Sequence, residues 1–581
     1  MLTNIRIRNF KKLDDVNFEL GQAVVLVGPN NSGKTTALQA LALWDIGLRR
    51  WLEKRGGKSE SQQRQGVAIN RRDLVAIPVP DANLLWHDLH VRSIERINGG
   101  SQRTQNIRID IIVEGVTDGK SWRCGLEFDY ANQESLYCRP LRSQEPTVGQ
   151  KEPERMVVPV EANNVRVAFL PPMSGLADRE YFKQPGEIGV LIGQGQTAQV
   201  LRNLCFGIAY DLTKNPSSLT NEWIGLTGRM YDLFGVELQP PLYIAERSEV
   251  IMSYREKGGA ELDISSSGRG LQQTLLLLAY LYANFNTVLL LDEPDAHLEI
   301  LRQRQIYQLL TKTAAERGSQ IIAASHSEVV LNEAADRDIV VAFVGKPHRI
   351  DDRGSQVVKS LRDIGFDAYY QAEQTGWVLY LEGSTDLAIL QAFAQALRHE
   401  AAHVLEKPFM HTVDSNVPQK AREHFYGLKE AKTDLVGIAV FDRLGKELQQ
   451  TSHLVELMWQ RREIENYLCT REVLMRYASN DDPMNLFAIG QQDIMAEVID
   501  EVSTALMTLR GLNPWSPDIK ATDDFLDPLF ARYFKRLNLP NLLRKTDYYI
   551  LAQFVRPNEI DQDIVTKLDA IVQVSKSAKP K

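Results

Sequence analysis

Apolar and polar residues alternate in "IRIRNF" and "VNFEL", which predicts two half-buried strands, and the unbroken apolar run "AVVLVG" predicts a fully buried third. A glycine-rich turn closes that run, and helical periodicity begins at about Lys34. The segments "NIRIDIIVEG" and "WRCGLEFDY" alternate again and read as an antiparallel sheet, bracketed by the polar loops "EKRGGKSESQQRQG" and "RSQEPTVGQKEPER". From about Gly186 to Phe234 the pattern is helical, and from Ser265 to Phe343 apolar strands alternate with helices, as a doubly wound α/β sheet requires. "QAEQTG", residues 371 to 376, predicts a linker, and the strand "WVLYL" then opens a second α/β alternation. The expected division is a first domain at 1–372, with a β lobe and helical region inserted at about 50–260, a second at 373–575, and a disordered basic tail at 576–581.

Composition narrows the class. At 581 residues the chain exceeds one ordinary domain, and 44% hydrophobic with 24% charged residues is the balance of a folded globular protein. A net charge of -8 gives no global attraction to nucleic acid, so any such partner must be met by a local patch. Cys124, Cys138, Cys205 and Cys469 lie far apart and form neither a CxxC pair nor a disulfide framework, which fits a reducing compartment. The N-terminal alternation is not the apolar block of a signal peptide. The most apolar stretch, Thr274 to Leu291, is broken by Asn284 and Asn286, so the expectation is a cytoplasmic chain with no membrane span.

Three strand ends carry candidate chemistry. "GPNNSGKT", Gly28 to Thr35, fits a phosphate-binding loop between strand and helix. In it Gly28, Asn30, Asn31, Ser32 and Gly33 would wrap ATP phosphates, Lys34 would reach the β and γ oxygens, and Thr35, beside Thr36, would ligate Mg2+. "TVLLLDEPDAHLE" delivers Asp292, a candidate for holding the Mg2+ shell, and Glu293, a candidate base for the attacking water. Taken alone, two acids at a strand end make a solvated turn. "IIAASHSEVV" delivers His326 in the same way.

That order of phosphate loop, Asp-Glu strand and His-ended strand resembles the ABC-type ATPases, and the resemblance implies that His326 contacts the γ-phosphate. "SSSGRGLQQTLLLLAYL", from Ser265, stands where that family has its Ser-Gly signature. Ser267 and Gly268 would then present a helix N-terminus to the phosphates of a partner protomer, which implies a homodimer or higher homo-oligomer joined through the heads. A serine N-cap before a buried helix is the plainer account of the same residues. "RIRNFKKLDDVNFEL" and the lack of heptad arms further resemble the RecF, SMC and OLD group, without the coiled coil of an SMC protein.

"LYLEGSTD" is similar to the opening of TOPRIM domains, which implies Glu382 as a metal ligand with Asp386 on the helix that follows. Asp442 in "LVGIAVFDRLGK" matches the next acid, while Leu444 stands where the pattern has a second Asp and cannot ligate a metal. Glu463 and Glu465 of "WQRREIENYL" are candidate replacements, expected on one face of a strand, and Lys545 is the candidate to stabilise phosphate charge. The whole resembles the OLD and PARIS phage-defence proteins: an ABC-type head fused to a TOPRIM-like α/β domain. The resemblance implies an ATP-controlled, Mg2+-dependent nuclease acting on DNA or RNA, with a phage-encoded trigger or a separate effector as possible partners. An ATPase scaffold with a silent TOPRIM domain and a RecF-like repair ATPase stay open beside it.

Overall fold

The computed structural model describes all residues except 56–65, 97–101, 143–154, 212–214, 336, 351–363, 414–416, 446–447, 450, 481–485 and 581. The greater part of both predicted polar loops thus lies outside the described residues. The chain divides into two compact units, Met1–Val358 and Lys359–Lys581, where the sequence expectation sets the division at 372. The stretch expected as a linker is largely helix, Phe366–Thr375, packed against the helix Pro418–Ala431 and the strand Trp377–Leu381 of the second unit. Gly376 ends that helix at φ 74°, and a Cβ there would meet the Lys579 backbone at 2.7 Å.

The first unit holds two sheets. In one, the strands Leu13–Glu19, Leu2–Phe10, Ile109–Thr117, Lys120–Asn132, Ser135–Pro140 and Val67–Asn70 pair antiparallel in that order, burying alternate residues as their pattern predicts. In the other, Val167–Leu170, Val288–Asp292, Gln320–Ser325, Ala23–Val27 and Ile339–Ala342 run parallel, with His348–Arg349 antiparallel at the edge. The central strands Val288–Asp292, Gln320–Ser325 and Ala23–Val27 are buried throughout and apolar except at their ends, because helices cover both faces. The helix Lys34–Arg55 lies between the two sheets, and the helix Arg269–Ala283, with twelve buried residues, covers the opposite face. In the region expected to be helical, Pro185–Gly193, Leu201–Ala209 and Asn221–Phe234 are helices, interrupted by the short strand pair Tyr210–Asp211 and Asn215–Leu219.

The second unit is built on a parallel sheet in the order Met410–Thr412, Trp377–Leu381, Val436–Phe441, Leu454–Met458. The helix Gln562–Ser577 runs into the stretch expected as a disordered tail. Its apolar face, with Ile564, Leu568, Ile571 and Val572, is buried, Lys576 pairs with Glu400 at 2.7 Å, and Lys432 donates to the Lys579 carbonyl. All four cysteines are buried thiols. Among the described residues no helix is long and apolar enough to cross a membrane.

Candidate functional site

The phosphate loop follows the central strand Ala23–Val27 and opens the helix Lys34–Arg55. Only glycine fits position 28, since a Cβ would meet the Phe343 carbonyl and Ser32 Oγ at 2.8 Å each. Asn31 takes left-handed backbone at φ 65°, which its short polar side chain tolerates, and Lys12 Nζ donates to its carbonyl. Asn30 and Asn31 are exposed; Ser32 Oγ is buried without a hydrogen-bond partner, an oxygen that a bound phosphate would satisfy. Lys34 is buried and donates to the Gly28 carbonyl at 2.6 Å and the Pro29 carbonyl at 2.9 Å. Burial lowers its pKa, against the charges of Glu293, Asp292 and Asp295, so it sits inside the loop as a cation without a full counter-charge.

Thr35 Oγ1 donates to Asp292 Oδ1 at 3.0 Å, joining loop and Asp-Glu strand through the two side chains expected to share Mg2+. Burial first, and Glu293 beside it, push Asp292 up to about 6, while Thr35 and Lys34 oppose the shift. A hard cation suits that pair. Glu293 holds left-handed backbone at φ 49°, a conformation costing about 1 kcal/mol for a non-glycine residue, and its Oε1 lies 3.8 Å from His326 Nδ1. Three adjacent parallel strands therefore deliver Glu293, His326 and the loop to one edge of the sheet, the ligand edge of an open α/β fold. Thr36 is half-buried in the first turn behind them.

The Ser-Gly turn is not a serine cap. Gly268 is the N-cap of the helix Arg269–Ala283 and makes no side-chain bond, while Ser267 Oγ turns back to donate to the Ile264 carbonyl at 2.7 Å. The first backbone N–H groups of the helix are left without a side-chain partner. Gln272 Nε2 braces the turn by donating to the carbonyls of Ile264, Ser265 and Ser267.

The second unit gathers acids at the carboxyl ends of its strands. Glu382 follows Trp377–Leu381 and Asp442 follows Val436–Phe441; these neighbouring strands flank the point where strand order reverses. Asp386 caps the helix Ser384–Ala396, its Oδ2 accepting from the Glu382 and Gly383 backbone N–H groups at 3.2 and 3.4 Å. Glu463 and Glu465 lie not on a strand, as expected, but on the 3-10 turn after Leu454–Met458. There Asn466 accepts from the Glu463 backbone N–H and donates to the Ile519 carbonyl, curling the chain. The turn still aims both acids at the same place, and Glu463 Oε1 accepts from the Thr522 backbone at 2.6 Å.

Glu382 is exposed, Asp386 and Asp442 are half-buried, and Glu463 and Glu465 are 3% exposed, so the set runs from solvent inward. Burial first, then Glu382, Asp386, Glu463 and Glu465, push Asp442 up to about 9. Burial with Glu463 and Asp386 pushes Glu465 up to about 8, and burial with Glu382 raises Asp386 to about 6. The exposed Lys545 opposes the shifts of Glu463 and Glu465. Leu444 is half-buried beside the site and adds no oxygen. Among the described residues no three His, Cys, Asp or Glu side chains stand as a group that could hold a metal ion as they are placed.

Residues 1–44 match the family described as "AAA ATPase domain", and residues 212–332 the family described as "AAA domain, putative AbiEii toxin, Type IV TA system". Over 43 residues the chain is 44% identical to an OLD nuclease of Thermus scotoductus, a match spanning 7% of this chain and 8% of that relative. In part, then, the first unit is similar to AAA ATPase domains and to an OLD nuclease. The two family matches flank the interval that contains most of its antiparallel lobe. Solved structures similar to part of the chain include the SMC head domain from Thermotoga maritima, 13% identical with a TM-score of 0.31, covering 60% of this chain and 98% of that one. Another is an SMC head with an extended coiled coil bound to the C-terminal domain of ScpA, derived from Pyrococcus furiosus, 12% identical with a TM-score of 0.32 over 62% of this chain and 99% of that one.

Two residues of these sites escape sequence reasoning. In the first unit the buried Asp295, whose Oδ1 lacks a hydrogen-bond partner, feels Ser325 and the charges of His326 and Glu293; it is the third acid of "DEPD". In the second unit Lys520 donates to Asp523 at 2.7 Å and, more weakly, feels the charges of Glu463 and Glu382, and nothing in its local sequence distinguishes it from a surface lysine.

Proposed function

We propose that the first unit binds and hydrolyses ATP with Mg2+, and that this cycle controls a TOPRIM-like, divalent-metal-dependent nuclease in the second unit that cuts DNA or RNA in antiviral defence. The observation that carries the nuclease half is the convergence of Glu382, Asp386, Asp442, Glu463 and Glu465 at the carboxyl ends of neighbouring parallel strands, faced by the charges of Lys520 and Lys545. Uncompensated carboxylates packed this way repel one another, and a hard divalent cation on their oxygens removes that cost. Among the described residues no three of these acids are placed to hold an ion as they stand, so Glu382, Asp442 and Glu465 would have to close on it. The ion supplies Lewis-acid polarisation of a phosphodiester and a more acidic bound water. Asp386 fixes the turn that carries Glu382, and Lys545 and Lys520 offset charge on the phosphate.

In the ATPase half, Lys34 and the loop amides grip the phosphates, Thr35 and Asp292 would hold Mg2+, Glu293 orients and deprotonates the water, and His326 contacts the γ-phosphate. Ser267 and Gly268 meet the phosphates of a second copy, so the heads assemble through ATP. The test is cleavage of plasmid DNA and total tRNA with Mg2+ or Mn2+ and ATP, by wild type beside Glu382→Ala. We expect cleavage by the wild type alone and equal ATP hydrolysis by both. If the variant cuts as well as the wild type, the acid site is wrong; if neither cuts while both hydrolyse ATP, the chain serves a separate effector.

A further inference from the structure

The first unit contains a groove of about 930 Å³, lined by none of the phosphate-loop residues and within the size range of small-molecule sites. The later turns of Lys34–Arg55 and the strand Val167–Leu170 form one wall, and the helices Pro185–Gly193 and Leu201–Ala209 the other. Ile46, Phe169, Ile188, Leu204 and Tyr280 give it an apolar lining. Asp45 breaks that lining. It is 7% exposed; its Oδ2 accepts from Arg49 Nε at 2.7 Å, and its Oδ1 is buried without a hydrogen-bond partner. The Val167 N–H acts on the carboxylate without reaching hydrogen-bond geometry to Oδ1, and burial outweighs both groups, raising the pKa of Asp45. A half-satisfied buried carboxylate is costly and favours a further donor, above all a cationic one.

Two glycines keep the space open. A Cβ at Gly189 or Gly207 would meet nothing within 4 Å, so packing does not demand glycine at either, although glycine weakens a helix. The other charged lining groups are Asp73, paired with Arg50 at 2.9 Å, Glu222, and Arg317, which lies over the Tyr282 ring at 4.5 Å and donates to the Tyr282 carbonyl. The lining itself therefore carries three acids and one guanidinium.

We infer that this groove binds a small organic cation, a protonated amine or amidine on a ring-sized apolar body, whose N–H donates to Asp45 Oδ1. The inference is independent of the proposed nuclease. The probe is p-aminobenzamidine, whose fluorescence rises in an apolar site, titrated into the full chain with and without ATP and Mg2+. We expect saturable binding of one probe per chain, unmoved by ATP, and about tenfold weaker binding by Asp45→Asn, which keeps the shape and removes the charge. The neutral p-aminobenzamide should also bind about tenfold more weakly. Gly207→Trp, which fills the groove, should abolish binding, and Gly189→Trp does so from the same wall if the first variant melts early by circular dichroism. Absence of saturable binding, displacement by ATP, undiminished binding by a folded variant, or equal affinity for the neutral amide would each overturn the assignment.

Discussion

Glu465 shows how far a single side chain can report on its site. Its burial and the charges of Glu463 and Asp386 raise its folded pKa to about 8, above the ordinary value of 4.5. Between those two values the unfolded chain binds fewer protons than the folded one, so folding is progressively penalised as pH rises from 4.5 to 8. Replacing it by the neutral, isosteric glutamine removes that penalty. Glu465→Gln should therefore raise the melting temperature of the metal-free protein at pH 8.5 by about 2–4 °C, on the order of 1 kcal/mol, and change little near pH 4.5. If Glu465 holds a metal ion as proposed, the same substitution also removes a charged carboxylate from the site, so any stabilisation by Mn2+ should be smaller than in the wild type. Thermal melts in chelator and in Mn2+ at both pH values check both parts; a variant that melts lower than wild type at pH 8.5 without metal would show that Glu465 is held by favourable partners. The acids that end apolar strands, Asp292, Glu382 and Asp442, were legible because one contiguous pattern predicts both the strand and its polar end. Glu463 and Glu465 were legible as candidates but not in conformation, because the Asn466 bonds that curl their turn reach across 53 residues to Ile519. Lys520 was not legible at all, since only tertiary closure brings its charge to Glu382 and Glu463.

At the scale of elements, periodicity gives each helix and strand its place, and close packing decides what each position tolerates. Gly47 lies in the middle of Lys34–Arg55, where alanine would ordinarily favour the helix by about 1 kcal/mol. Here a Cβ would meet Cys138 Sγ and the Phe128 ring at 2.9 Å, because the helix is pressed onto the antiparallel lobe. Gly47→Ala should cost about 1–3 kcal/mol by overpacking and lower the melting temperature, against the propensity trend. A rise would mean that lobe and helix separate easily. In the second unit three elements bring together Tyr380, His411 and His424: the His411 and His424 rings stack at 3.5 Å, and Tyr380 Oη bonds His424 Nδ1 at 2.8 Å. Burial first, then His411, lowers the folded pKa of His424 to about 3. The unfolded chain binds a proton near pH 6.5 that the folded chain refuses, so stability is intact above 6.5 and falls at about 1.4 kcal/mol per pH unit below it. Chemical denaturation from pH 7 to 4.5 should show that acid limb, and His424→Phe should flatten it; an unchanged slope in the variant would assign the acid sensitivity elsewhere.

On the proposed reading the whole molecule carries a nucleotide site and an acidic site in one chain, and the first would govern the second. The first unit offers a means. Its Ser-Gly turn leaves a helix N-terminus without a side-chain cap, and Ile300 and Leu301, which open the helix Ile300–Glu316 after the Asp-Glu turn, are 69% and 82% exposed, apolar side chains suited to burial against a second copy. ATP bound between two heads would then favour the assembled state by its differential affinity for it, and hydrolysis would release it. Two variants separate binding from hydrolysis. Lys34→Ala removes the cation proposed to grip the phosphates and should lose both ATP-dependent assembly and cleavage. Glu293→Gln keeps that cation and removes the proposed base; hydrolysis should slow by about 10²–10⁴-fold while the ATP-bound assembly persists. Light scattering with and without ATP reads assembly, and nucleic-acid cleavage by the same samples reads the second unit. If Lys34→Ala leaves assembly size and cleavage at wild-type levels, the two sites act independently and the ATP cycle controls something else. If Glu293→Gln assembles with ATP and its cleavage departs from wild type in either direction, the nucleotide state itself is the control, because that variant leaves every acid of the second site in place.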